Sequence, residues 1–151
     1  MLAGVDEAGK GPVLGSMFAA AVRADPAVLP ADVGDSKDVP PERRQRLDGE
    51  IRDVADAVAV AEVPADRIDD PQTDMNGLTV AAHAEALSGV CRDPGVGALE
   101  ARADAGDTDA SRFERRVVDR VEGAVDLTAT HGADAEYAIV GAASIVAKEA
   151  R

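Results

Sequence analysis

The sequence predicts an α/β domain: a five-stranded mixed sheet flanked by helices. Three observations carry this. Two apolar runs, residues 2–5 and 13–22, lie close together at the start; valine-rich segments then alternate with segments of helical period; and 46% of the 151 residues are hydrophobic, enough to build the core of one domain.

Residues 2–5 suit the start of a buried strand. They run into adjacent carboxylates, Asp6 and Glu7, and then into Ala8-Gly9-Lys10-Gly11. Successive strand side chains point to opposite faces, so the two acids can share a face only where the strand ends or kinks. Gly9 and Gly11 supply that freedom. Residues 13–22 read as a strand buried on both faces and joined to the first as a hairpin through Gly11-Pro12. A polar, proline-punctuated connection follows, containing Gly34-Asp35-Ser36-Lys37-Asp38. Pro40 and Pro41 then lead into a helix with Leu47, Ile51, Val54 and Val58 at helical spacing.

Residues 57–63 form a third strand, closed by Pro64. Past an acidic stretch broken by Pro71, a helix is expected over 75–89, apolar at Leu78, Ala82 and Ala86. Asp93-Pro94-Gly95 is a turn, and a strand over 96–103 ends at Asp104. An amphipathic helix over 109–122 carries Phe113, Val117 and Val121 four apart, and residues 124–130 form the fifth strand. His131-Gly132-Ala133-Asp134 opens a last helix, apolar on almost every side over 137–147. Ligands on such sheets sit beyond strand ends, where Asp6 and Asp104 fall.

Aromatic residues are only 2%, so alanine and valine must fill the core. The net charge is −13, from 29 acids and 16 bases, with aspartate outnumbering glutamate 19 to 10 and lysine only at positions 10, 37 and 148. Such a surface resembles that of proteins from salt-loving organisms and also fits a high-GC codon bias. It argues against loose electrostatic capture of nucleic acid but leaves room for a local or metal-bridged phosphate site. No apolar run approaches the roughly 18 residues of a membrane span, and the N-terminus is not a signal peptide. A single cysteine, Cys91, excludes an internal disulfide or a cysteine-cluster metal site, so a cytoplasmic protein with no membrane association is expected.

Asp6, Glu7, Asp104 and Asp134 make four acids at element ends. Oxygen-only clusters suit Mg²⁺ or Mn²⁺, and two such ions about 3.5–4 Å apart serve phosphodiester hydrolysis. Other readings stand beside this one. Asp134 equally suits a cap of the last helix, and Asp107 and Asp109 suit capping of the helix over 109–122 better than metal binding. A calcium loop starting at Asp104 lacks the required glycine and glutamate. Gly9-Lys10-Gly11 is not a Walker motif, which needs Ser or Thr after the lysine; its position after two acids favours a binding loop over a plain hairpin. His83, in an alanine-rich helix, reads as a partly buried or surface residue rather than a catalyst. His131 could orient groups or shuttle protons, or be structural.

In order and spacing, these stretches resemble the ribonuclease HII family, and its archaeal members in particular. The residues carrying the resemblance are Gly4-Val5-Asp6-Glu7-Ala8-Gly9-Lys10-Gly11-Pro12, Gly34-Asp35-Ser36-Lys37, Ala103-Asp104-Ala105-Gly106-Asp107 with Arg112-Phe113, His131-Gly132-Ala133-Asp134, and 142–148 (Ala-Ala-Ser-Ile-Val-Ala-Lys). With the acidic composition, this points to a haloarchaeal source. The resemblance implies a ribonuclease H-like fold in a catalytic domain over residues 1–151, acting as a monomer. It implies cleavage of RNA in RNA–DNA hybrids and of single ribonucleotides in duplex DNA, leaving 3′-hydroxyl and 5′-phosphate ends. Asp6, Glu7, Asp104 and Asp134 become the metal-binding, catalytic carboxylates for Mg²⁺ or Mn²⁺, with Asp6 shared between two ions. Gly9, Lys10 and Gly11 become the loop that reads the ribose 2′-hydroxyl. Ser36, Lys37, Asn76, Ser144 and Lys148 become backbone or phosphate contacts.

Two departures stand out. Gly132 occupies a position where the family often has lysine. The family also continues beyond the last helix into a Gly-Tyr-Pro segment, whereas this sequence stops at Arg151 and its one tyrosine, Tyr137, is no substitute. A truncated chain that binds metal or hybrid without efficient cleavage is therefore the alternative expectation.

Overall fold

A computed structural model describes residues 1–9, 15–33, 39–70, 72, 74–91 and 97–151. Its strands are β1 (Leu2–Ala8), β2 (Met17–Ala24), β3 (Ala57–Val63), β4 (Leu99–Asp104) and β5 (Val125–Thr130). The helices are α1 (Pro41–Val54), α2 (Ala65–Ile68), α3 (Met75–Val90), α4 (Ala110–Arg120), α5 (Ala133–Glu136) and α6 (Ala138–Ala150). The sheet order is β3-β2-β1-β4-β5. β1 pairs antiparallel with β2 and β2 with β3, while β1–β4 and β4–β5 are parallel. The five-stranded mixed sheet expected from the sequence is therefore present. The chain progresses outward in one direction from β1 to β3 and in the other from β4 to β5. Between β1 and β4 lies the reversal point where such sheets hold ligands.

Alternation along β1 distributes the core. Ala3 and Val5 face one layer, with Leu78, Leu87, Phe113 and Val117 from α3 and α4. On the opposite face Ala20 and Val22 of β2 meet Leu47 and Ile51 of α1 and the apolar run of α6. With so little aromatic bulk, the layers close by approaching one another. At Gly4 a Cβ atom would stand 2.3 Å from the Ile139 carbonyl oxygen, so only glycine lets the start of α6 lie directly on β1. Arg44 of α1 and Glu149 of α6 add a 3.2 Å ion pair across the outside of that layer.

Several boundaries differ from the sequence reading. Val54 is exposed at the end of α1, and Val58 belongs to β3, because Ala55 and Asp56 leave the helix before the spacing is complete. The last helix is two. Tyr137 takes an extended conformation between α5 and α6; its amide closes α5 on the Ala133 carbonyl, while its own carbonyl accepts the amides of Val140 and Gly141 to start α6. The ring of Tyr137 lies under the guanidinium of Arg102, 5.6 Å from its centroid. No helix among the described residues is long and apolar enough to cross a membrane.

Candidate metal centre

β1 outruns β4. The parallel register joins Ala3, Gly4 and Val5 to Ala101, Arg102 and Ala103, while β1 continues through Asp6, Glu7 and Ala8 paired only with β2. The sequence reading placed Asp6 at a strand end. Instead the strand persists to Ala8, and its alternation sends Asp6 to the α6 face and Glu7 to the α3 face. Asp104 is the last residue of β4, opposite Thr130 of β5.

Beyond β5 the chain turns through Gly132, whose backbone is left-handed at φ 72° and whose amide donates to Asp104 Oδ1 at 3.3 Å. Gly132, not Asp134, is the cap position of α5, so the capping alternative for Asp134 falls away. Asp134 instead projects from the first turn of α5 into the sheet edge and is 6% exposed.

Asp6, Asp104 and Asp134 thereby converge, each offering a carboxylate oxygen within 4.8 Å of the others. Asp6 is pinned by the Glu7 amide, which donates to its Oδ1 at 2.8 Å. Burial, and after it the charges of Glu7 and Asp104, push the Asp6 carboxyl well above the usual carboxylate range. Burial, then Asp134 and Glu7, raise Asp104 to about 6, against the lowering effect of the Gly132 amide. Glu7 is not part of the three-acid group, though both Asp6 and Asp104 feel its charge. Its Oε2 lies 2.6 Å from Nε2 of His83 on α3.

The donor set fits a hard divalent cation. Three carboxylates from three elements share one small volume at an electrostatic cost, and Asp134 Oδ1 is buried with no hydrogen-bond partner among the described residues. A cation would relieve both.

The other expected site residues divide. Gly9 ends the strand edge at φ 90°, where an added Cβ would meet the Ser16 carbonyl oxygen at 2.8 Å. Lys10, Gly11, Ser36 and Lys37 lie outside the described residues, as does the Gly11-Pro12 turn. Asn76, in the first turn of α3, lines a cleft of about 400 Å³ with Ala105, Gly106, Asp107, Thr108, Arg112 and His131. That cleft opens one residue past Asp104. Lys148 is half-buried in the last turn of α6. Ser144 is 1% exposed inside the α6 layer, so its placement does not support a substrate contact.

Asp107 and Asp109 serve the α4 entrance. Asp109 caps it by accepting the Arg112 amide at 3.0 Å, while Asp107 holds the Arg112 side chain through Nε at 2.9 Å and Nη2 at 2.8 Å. His131 donates from Nε2 to the Asp107 carbonyl at 2.7 Å. The role of His83 was not legible. It is fully buried rather than part-exposed, and a polar side chain on the buried stripe of α3 was the available sign that it must have a partner.

The sequence profile of the family Ribonuclease HII matches residues 3–151. The chain belongs to the ribonuclease HII family. Among its relatives, the ribonuclease HII of Haloarcula marismortui is 65% identical over 148 residues, covering 98% of this chain and 68% of that protein. That of Halobacterium salinarum is 60% identical over the same shares. Among solved structures, the ribonuclease HII complex with PCNA from Archaeoglobus fulgidus aligns at a TM-score of 0.86 and 32% identity, over 100% of this chain and 71% of that one. Membership makes the chain an endonucleolytic hydrolase with the ribonuclease H-type sheet. These two relatives are haloarchaeal, the source that the acidic composition of this chain points to.

Proposed function

We propose that residues 1–151 form one catalytic domain that hydrolyses RNA in RNA–DNA hybrids, and single ribonucleotides embedded in duplex DNA, at the edge where Asp6, Asp104 and Asp134 meet. The observation that carries this reading is the convergence of three carboxylates from β1, β4 and α5 at the reversal point of the sheet, with Asp134 Oδ1 buried and unpartnered. Asp6, Asp104 and Asp134 would hold divalent ions, Mg²⁺ or Mn²⁺, with Glu7 completing the acidic edge. Ions bound there would acidify water and neutralise charge on the leaving oxygen.

The protein's own groups do the rest. The carboxylates concentrate negative charge where a phosphodiester must approach, so substrate is accepted only with its charge balanced by cations at the same place. Gly9 turns the backbone sharply beside that edge, and Gly9, Lys10 and Gly11 read the ribose 2′-hydroxyl and its phosphate. Asn76, with Arg112 and His131, borders the neighbouring cleft and takes a flanking phosphate, while Lys148 and the segment carrying Ser36 and Lys37 supply further contacts. Products carry 3′-hydroxyl and 5′-phosphate ends. The enzyme acts as a cytoplasmic monomer in strong salt.

The test is cleavage, in molar KCl with Mg²⁺ or Mn²⁺, of three duplexes: all-DNA, RNA–DNA hybrid, and DNA with one ribonucleotide. Cleavage confined to the two ribose-containing substrates, with the stated end groups, is expected. Equal cleavage of all-DNA, or a folded, metal-binding protein that cleaves none, contradicts the reading.

A further inference from the structure

Glu7 leaves β1 on the same face as Ala3 and Val5, toward the apolar layer that α3 and α4 share with them. A carboxylate sent there needs a donor. His83 supplies it: the imidazole is fully buried, and its Nε2 is 2.6 Å from Glu7 Oε2. An ionised carboxylate only accepts, so Nε2 carries the hydrogen. The ring is fixed in turn by Phe113, which meets it edge-on at 5.0 Å between centroids and 87° between planes. Its other nitrogen, Nδ1, is buried without a hydrogen-bond partner among the described residues. A histidine used only as core filling would be replaceable by leucine at no polar cost. Here its one hydrogen bond is spent on an acid of the candidate metal centre.

We propose that His83 is a positioning residue of the metal centre, holding Glu7 from the side opposite to Asp6 and Asp104 and so fixing the carboxylate beside the bound ion. This inference rests on the proposed reading of the acidic edge as the metal site. Outer partners that orient metal-binding carboxylates typically change affinity 10- to 100-fold when removed.

The test is Mn²⁺ binding to the whole chain in molar KCl, measured by titration calorimetry for wild type, His83→Leu, His83→Gln and Asp6→Asn, with thermal unfolding as a fold control. Leucine fills the space without a donor; glutamine restores an N–H near the position of Nε2. His83→Leu should weaken Mn²⁺ binding by roughly tenfold or more, and His83→Gln should recover most of the loss. A role in packing alone would not separate the two variants in this way. Equal Mn²⁺ affinity in wild type and folded His83→Leu overturns the proposal. If His83→Leu does not fold, the ¹⁵N resonances of the wild-type imidazole decide: saturation with Mg²⁺ should shift the His83 Nε2 signal, and an unmoved signal overturns the inference. If Asp6→Asn leaves Mn²⁺ affinity unchanged, the metal-site reading itself fails; if it abolishes binding while His83→Leu does not weaken it, only the role of His83 fails.

Discussion

Asp6 and Glu7 are consecutive residues of β1 and point to opposite faces of the sheet, yet both act on Asp104. The Asp6 carboxylate joins Asp104 and Asp134 directly. Glu7, held by His83 on the other face, adds its charge to that of the group. One strand edge that extends past its parallel neighbour is what makes this possible.

Crowded acids have a stability consequence. The folded-state pKa of Asp104, about 6, lies above its unfolded value of about 4. A raised acid means that the folded state holds its proton more firmly than the unfolded chain does. The metal-free protein should therefore lose stability as pH rises from about 4 toward 6, and Asp6, shifted in the same direction, extends the loss. Thermal unfolding across that range with a chelator present checks the sign. Asp6→Asn should raise the metal-free Tm at neutral pH.

The same protons compete with metal. Divalent-ion affinity should fall as pH drops below about 6, where Asp104 takes up its proton. Mn²⁺ titrations between pH 5 and pH 8, values chosen to bracket that carboxyl by about one unit or more, would show it. Affinity independent of pH across this interval would remove Asp104 from the site.

Phe113 is fully buried between α4 and the ring of His83. Phe113→Ala should cost about 3–5 kcal/mol in denaturant unfolding, the usual range for deleting a buried aromatic ring. It should also loosen His83, so metal affinity should decline in whatever protein remains folded.

Gly4→Ala should be more disruptive than a single methyl suggests. The new Cβ would stand 2.3 Å from the Ile139 carbonyl oxygen, a backbone atom that cannot rotate away. A loss of about 3 kcal/mol or more is expected, at or beyond the upper end for overpacking. Because α5 and α6 are contiguous, displacing α6 should also disturb Asp134. Equilibrium unfolding and Mn²⁺ binding read the two effects separately.

The sequence reading located β3 at its observed bounds, since valines closed by Pro64 leave little choice, and it placed α3 and α4 within a few residues. Asp104 was visible as an acid ending an apolar run, and strand ends are where soluble ligands can be met. Three features were not visible. Period alone continued α1 to Val58 and ran α5 and α6 together, because neither Ala55 nor Tyr137, where the backbone turns extended, is a breaking residue. Which face each acid takes depends on β1 continuing past β4, and register between distant strands is not written in local pattern. His83 was hidden for the same reason: its partner is far away in sequence.

The central claim, that the Asp6–Asp104–Asp134 group is the hydrolytic centre, meets its most direct test in one comparison. Wild type and Asp6→Asn are given a DNA duplex containing a single ribonucleotide, with Mn²⁺ in molar KCl. The account predicts cleavage at the ribonucleotide by wild type and a loss of roughly 100-fold or more in Asp6→Asn, at least what is lost with an outer partner of a metal site. Cleavage by Asp6→Asn at the wild-type rate would contradict it.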